Sequence, residues 1–170
     1  MTSGPLVLVE GESDAAVVRL LAAERGSPDL QVLSTGGAMG VRRALAGLGQ
    51  RPEAVLALCD EREAPHLQGA VADAGAVFVC RADLEDELIR ALGVEAVLTV
   101  LGETRDLRPF RILQRQPEHR GRPVVPQLRR FIAAGAGRKV RIDAAMAAAL
   151  PPGREPAPIA ALLVRAAALR

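Results

Sequence analysis

Along the first eighty residues, unbroken apolar runs alternate with longer stretches in which apolar positions recur every three or four residues. The runs are residues 5–9 (PLVLV), 31–33, 54–59 (AVLALC) and 76–80 (AVFVC). Unbroken rather than alternating hydrophobicity predicts strands covered on both faces, as in a parallel sheet. Between the runs, residues 13–24 set Ala16, Val17, Leu20 and Leu21 at helical spacing, with Ser13 as the expected N-cap. Residues 39–48 place Val41, Leu45 and Leu48 on one stripe, and residues 66–74 read as a shorter helix. This alternation predicts an α/β fold with a four-stranded parallel sheet flanked by helices.

After Asp83 the pattern is helical only. Residues 84–92 and 94–101 read as helices broken at Gly93, followed by helices over 107–115, 125–133, 142–150 and 159–169. Prolines at 109, 117, 123 and 126, and the PPGREPAP stretch at 151–158, punctuate them. The expected organisation is an α/β core over residues 1–92 and a helical region over 93–170 that packs on the core or extends it.

Composition narrows the chemistry. Three Phe and no Tyr or Trp exclude a tyrosine nucleophile and an aromatic base-stacking platform. A net charge of +2 says little, but its distribution says more. Residues 1–104 hold 8 Arg against 16 Asp and Glu, a charge of −8; residues 105–170 hold 13 Arg and Lys139 against 4 acids, a charge of +10. An acidic half joined to a basic half suits a carboxylate site beside a surface that attracts an anion. The chain has neither a GxxxxGK[ST] loop nor a Cys/His zinc spacing. Its N-terminus lacks a basic segment before the apolar run, and no apolar stretch reaches about 18 residues, so neither a signal peptide nor a membrane span is expected. Cys59 and Cys80, both within apolar runs, read as reduced core thiols of a cytoplasmic protein.

The acids fall where a parallel sheet binds ligands, at the carboxyl ends of its strands. The first strand runs into Glu10-Gly11-Glu12-Ser13-Asp14, the third into Asp60-Glu61-Arg62-Glu63, and the fourth is followed by Asp83-Leu84-Glu85-Asp86-Glu87. The second delivers Gly36-Gly37, read as a tight turn near the site. Clustered carboxylates repel unless cations lie among them, and hard oxygen donors favour Mg²⁺ or Mn²⁺. The alternative for each acid is structural: capping of a helix or complementing its dipole. His66 and His119 stand alone in polar surroundings and read as surface residues.

The elements VEGESD, GGA, LCDERE and LEDELIRAL together resemble a Toprim domain, the Rossmann-like fold of topoisomerases, primases, recombination proteins and OLD-family (overcoming lysogenization defect) nucleases. The EGxSD and LED elements and the later basic helices resemble the OLD type most. The resemblance is clear over residues 5–92 and fainter over 93–170. It implies that Glu10 is a metal ligand or catalytic group, that Asp14, Asp60 and Glu85 are metal ligands, and that Lys139, the chain's only lysine, stands near the scissile phosphate. Arg62 replaces the second acid of the family's Asp-x-Asp pattern, which leaves Glu61 or Glu63 to supply that oxygen; Glu63 is the expected substitute. OLD proteins also carry an N-terminal ATPase, which this sequence lacks, so the expectation is a stand-alone Toprim protein or one that works with a separate ATPase.

The expected function is phosphodiester hydrolysis of nucleic acid, DNA before RNA, by water activated on Mg²⁺ or Mn²⁺. Arg108, Arg111 and Arg115 fall three and four apart, so they share a helix face. With Arg129, Arg130 and Arg138 they are the expected backbone contacts, since the guanidinium fork suits phosphate. Some of this charge is expected to pair with the acidic half, within the chain or in a homodimer. Two other readings stand beside this one. One is a catalytically degenerate Toprim module that binds nucleic acid or a partner, motivated by Arg62. The other is a small-molecule phosphotransfer enzyme, which would need an Asp where this chain has Glu10.

Overall fold

The computed structural model describes residues 4–37, 40–48, 52, 54–69, 71 and 76–169. Met39, where the second helix is expected to begin, and residues 72–74, where the third is expected to end, lie outside them. Four strands, β1 (Leu6–Val9), β2 (Gln31–Ser34), β3 (Val55–Asp60) and β4 (Val77–Cys80), form one parallel sheet in the order β2-β1-β3-β4. All four residues of β1 are buried, as expected for a central strand covered on both faces. β4, at an edge, is only partly buried at Val77, Phe78 and Val79.

Helices α1 (Glu12–Glu24), α2 (Val41–Ala46) and α3 (Ala64–Gln68) lie between the strands in sequence. After β4 come α4 (Leu84–Leu92), α5 (Val94–Glu103), α6 (Leu107–Arg115), α7 (Val124–Ala133), α8 (Ala136–Ala148) and α9 (Ala157–Ala167). Gly93 breaks α4 from α5 as expected. The main departure is α8, which starts at Ala136 rather than residue 142. The polar stretch Gly137-Arg138-Lys139 hides its first turn, yet Lys139 N–H donates to the Gly135 carbonyl at 2.9 Å. Lys139 therefore lies on a helix.

One apolar core runs through both halves of the chain. α1 packs on β1, β2 and α8; α8 also packs on α4, α5 and α7; α9 packs on β3 and β4. Val17, Val18 and Leu21 of α1 share a continuous buried cluster with Ile142 and Met146 of α8. At the far side Phe110 and Phe131 meet edge-on with centroids 5.5 Å apart, fastening α6 to α7. Cys59 and Cys80 are free buried thiols. Burial pushes the Cys59 thiol up to about 12, so both behave as core residues. Among the described residues no helix is long and apolar enough to cross a membrane.

Candidate functional site

The sheet order reverses between its two central strands. From β1 the chain moves out to β2, then returns to β3 on the other side of β1 and moves out to β4. A reversal of this kind opens a crevice beyond the carboxyl ends of the central strands. β3 ends on Asp60 and β1 runs directly into Glu10. A cavity of about 260 Å³ lies there, its polar lining made by Glu10, Asp14, Asp60, Asp83, Ser13 and Lys139.

Local structure holds each acid in place. Gly11, extended at φ −130°, is the N-cap of α1, so the helix begins before Ser13 and that residue is buried in the first turn instead of capping it. Asp14 Oδ2 accepts from the Gly11 N–H at 3.0 Å. Asp60 Oδ1 accepts from the N–H groups of Arg62 and Glu63 at 2.8 and 2.9 Å. Asp60 does not cap α3, whose N-cap is Glu63; one of its oxygens holds the turn that leads to the helix while the residue lines the cavity. The Ser34–Gly37 turn fastens Glu10 from the β2 side. Gly36 and Gly37 N–H groups both donate to the Glu10 carbonyl, at 2.9 and 3.3 Å, with φ of 67° and 98° that favour glycine.

The acids feel one another. Burial, then the charges of Glu63, Asp14 and Asp60, hold the Glu10 carboxyl above its ordinary range. Asp14 is likewise raised by burial, against the Gly11 hydrogen bond and Lys139. Glu63 lies close to the turn, its Oε1 3.8 Å from where a Cβ on Gly37 would stand. Arg62 is exposed, and neither it nor Glu63 lines the cavity.

Glu85 belongs to a second, adjoining cavity. It is 3% exposed on the first turn of α4 and lines a space of about 610 Å³ together with Gln116, His119, Arg129 and Arg130. Asp83 and Lys139 line both cavities. Burial and then the charge of Asp143 push Glu85 up to about 8. Asp83 caps α4, its Oδ1 accepting from Asp86 N–H at 2.8 Å and its Oδ2 from Arg129 Nη2 at 2.5 Å.

Lys139 stands between the two cavities. Burial works against its charge, yet the surrounding carboxylates, Asp143 foremost and then Asp14, Glu85 and Asp83, hold it above the usual lysine value. Two of these acids carry no distinct signal in the sequence. Asp83 is hidden by its place at a helix start, where acids are common. Asp143 is hidden in the alanine-rich α8, although an acid beside Ile142 and Met146 on an apolar face is the available sign.

The donor type, carboxylate oxygen, is the one a hard divalent cation takes. Glu10, Asp14, Asp60, Glu63 and Glu85 offer only carboxylate oxygen, and the mutual repulsion at Glu10 is what a cation relieves. Among the described residues no three His, Cys, Asp or Glu side chains are close enough to hold an ion as they stand.

The basic residues divide. Arg108, Arg111 and Arg115 are exposed on α6, and Arg130 is exposed on α7 at the second cavity. Arg129 is tied to Asp83. Arg138 lies 4.3 Å over the Phe131 ring and pairs with Asp106 at 3.5 Å. His66 is exposed as expected, but His119 is buried. Its carbonyl accepts from Gln127 Nε2 at 2.7 Å, which draws the α6–α7 connection inward.

No family model and no curated protein matches the chain. Solved structures do. The C-terminal region of the Burkholderia pseudomallei OLD protein superposes at a TM-score of 0.68 and 16% identity, over 99% of this chain and 98% of that one. The C-terminal region of the Xanthomonas campestris pv. campestris OLD protein, in a platinum-phased structure, gives 0.68 at 23% identity over 98% and 94%. The chain has the fold of the C-terminal region of OLD proteins, as its Toprim resemblance implies. The fainter resemblance of residues 93–170 is matched as well, because the superposition spans nearly the whole chain.

Proposed function

We propose that this chain is a Mg²⁺- or Mn²⁺-dependent phosphodiesterase acting on nucleic acid, DNA first. The observation that carries this is the meeting of Glu10, Asp14, Asp60 and Asp83 with Lys139 around one cavity at the sheet's reversal point. Glu10, Asp14 and Asp60, with Glu63 beside them and Glu85 from the adjoining cavity, would hold the ion or ions. Bound there, a divalent cation supplies Lewis acidity toward water and a phosphate oxygen. The chain's own part is positional and electrostatic. The Gly11 and Gly36–Gly37 turns keep Glu10 and Asp14 at the strand ends. Lys139 offers a charged donor to the phosphate undergoing attack, where fixed charge is most effective. Arg108, Arg111, Arg115 and Arg130 hold the flanking backbone without reading sequence, while Arg129 and Arg138 act chiefly through Asp83 and Asp106. A separate ATPase is the proposed partner, by analogy with the ATPase of OLD proteins.

The test is cleavage of supercoiled plasmid with Mg²⁺ or Mn²⁺. The wild type nicks or linearises DNA and is stopped by EDTA; Glu10→Ala and Asp60→Ala lower the rate by about a hundredfold or more. Full metal-dependent cleavage by both variants overturns the assignment. The arginine at position 62 supports a second reading, a module that binds nucleic acid or a partner without hydrolysis. Absence of Mn²⁺ binding with DNA binding intact selects that reading.

A further inference from the structure

The proposed reaction leaves much of the second cavity without a role: Leu113, Gln116, Glu118, His119, Ala133 and Ala134 all line it. Its volume, about 610 Å³, falls in the range of pockets that enclose a small organic molecule. One wall is the connection from α6 to α7, and that wall is built. Gln127, buried on α7, donates through Nε2 to the His119 carbonyl at 2.7 Å and to the Arg122 carbonyl at 3.2 Å. Its Oε1 accepts from Gln114 Nε2 at 2.7 Å. The connection is thus fixed before any ligand arrives. His119 is 6% exposed and lines the cavity, yet among the described residues no hydrogen bond or ion pair reaches its imidazole. The ring nitrogens, which can donate and accept, are left for a ligand in the cavity.

The mixed lining decides between ligands. Asp83, Glu85 and Glu118 share the wall with Arg129, Arg130 and Lys139, and Arg129 is already held by Asp83. A bare phosphate would meet carboxylates as well as cations. A nucleobase is neutral, and its edge carries acceptors together with, in adenine, guanine and cytosine, an amino donor. Gln116, Glu118 and His119 offer partners for such an edge, and Leu113, Ala133 and Ala134 offer apolar surface to its faces. Bases taken out of a stack are held by side chains of these kinds. Asp83 and Lys139 line both cavities, so a nucleotide lodged in the second lies beside a phosphate in the first. We infer that the second cavity binds a single unpaired nucleobase, His119 meeting its edge, and that this nucleotide flanks the scissile phosphate. The flanking position rests on the proposed reaction, whereas the binding of a base does not. A base inside a duplex must first be unpaired and unstacked, so unpaired nucleic acid is the favoured ligand.

The chain has two histidines, so their ring protons can be followed separately by NMR. The full chain in EDTA is titrated with the four deoxynucleoside monophosphates, with deoxyribose 5-phosphate and with inorganic phosphate. At least one nucleotide is expected to shift His119 and not the exposed His66, and to bind about tenfold or more tightly than either base-free phosphate. Ala133→Leu fills the cavity from an exposed position at the end of α7. It is expected to keep the fold and to weaken the nucleotide about tenfold or more. Equal binding of nucleotides and inorganic phosphate marks a phosphate site only and overturns the inference. So does the absence of any shift at His119, or an unchanged affinity in folded Ala133→Leu. In EDTA the same substitution is expected to weaken a single-stranded oligonucleotide while a closed hairpin duplex binds as before; an equal loss on both contradicts an unpaired-base site. These measurements need neither metal nor cleavage, so the inference can fail while the nuclease reading holds, and the reverse.

Discussion

Glu85 shows how a single buried acid couples the site to pH. Its carboxyl is raised to about 8 by burial and by the neighbouring Asp143, so the folded chain favours the protonated form that the unfolded chain loses near 4.5. Between those values the unfolded state binds fewer protons, and stability falls as pH rises. Metal-free protein is expected to melt several degrees lower at pH 9 than at pH 5.5 on account of this group, and Glu85→Gln is expected to flatten that part of the profile. An identical pH profile in the variant contradicts the burial argument. Glu10, Asp60 and Glu85 are legible in the sequence because strand ends and the Glu-Gly and Leu-Glu elements mark them. Asp143 is not, since one acid in an alanine-rich helix looks solvated until the packing of α8 on α1 is known. His119 misleads for the opposite reason. Its polar neighbours conceal that Gln127, eight residues on, pulls the turn inward.

Among the secondary-structure elements, the strands are legible to within a residue, most plainly β1 and β3, where burial on both faces leaves a continuous apolar run. Helix starts are harder, since caps compete. Gly11 rather than Ser13 caps α1 because the Asp14 carboxylate already answers its N–H. The start of α8 is masked by its polar first turn, the turn that carries Lys139. Two substitutions probe how elements place the site. A Cβ on Gly40 would overlap the Thr35 carbonyl oxygen, so Gly40→Ala must displace the turn that fastens Glu10. It is expected to lower cleavage more than stability; equal cleavage in the variant contradicts that route. Phe110 is fully buried against Phe131. Phe110→Ala is expected to cost about 3–5 kcal/mol in denaturant unfolding, because it empties the packing that holds α6, the arginine-bearing helix, on α7.

Across its full extent the chain puts opposite charges to separate uses. Acid gathers at the reversal of a parallel sheet, and arginine gathers on helices that pack back against the same end through α4 and α8. Part of the basic charge answers internal acids: Arg129 binds Asp83, and Arg138 and Arg141 bind Asp106. The exposed remainder on α6 is what a polynucleotide would meet. Replacing Arg108, Arg111 and Arg115 by Gln is expected to reduce the salt dependence of DNA binding, by about 0.9 in log–log slope for each phosphate that is no longer neutralised. An unchanged slope would move the nucleic-acid path away from α6. The net charge of +2 conceals this division, and the fold explains it, since one core joins the two halves around one crevice.

A divalent-metal site built from strand-end carboxylates underlies the proposed chemistry, and crystals soaked in Mn²⁺ and measured for anomalous scattering would reveal it. A peak is expected among Glu10, Asp14 and Asp60, with Arg62 outside the ligand set and Lys139 at the edge of the site. A fully soaked crystal with no peak among these carboxylates, or with Arg62 turned into their midst as their cation, would contradict the assignment.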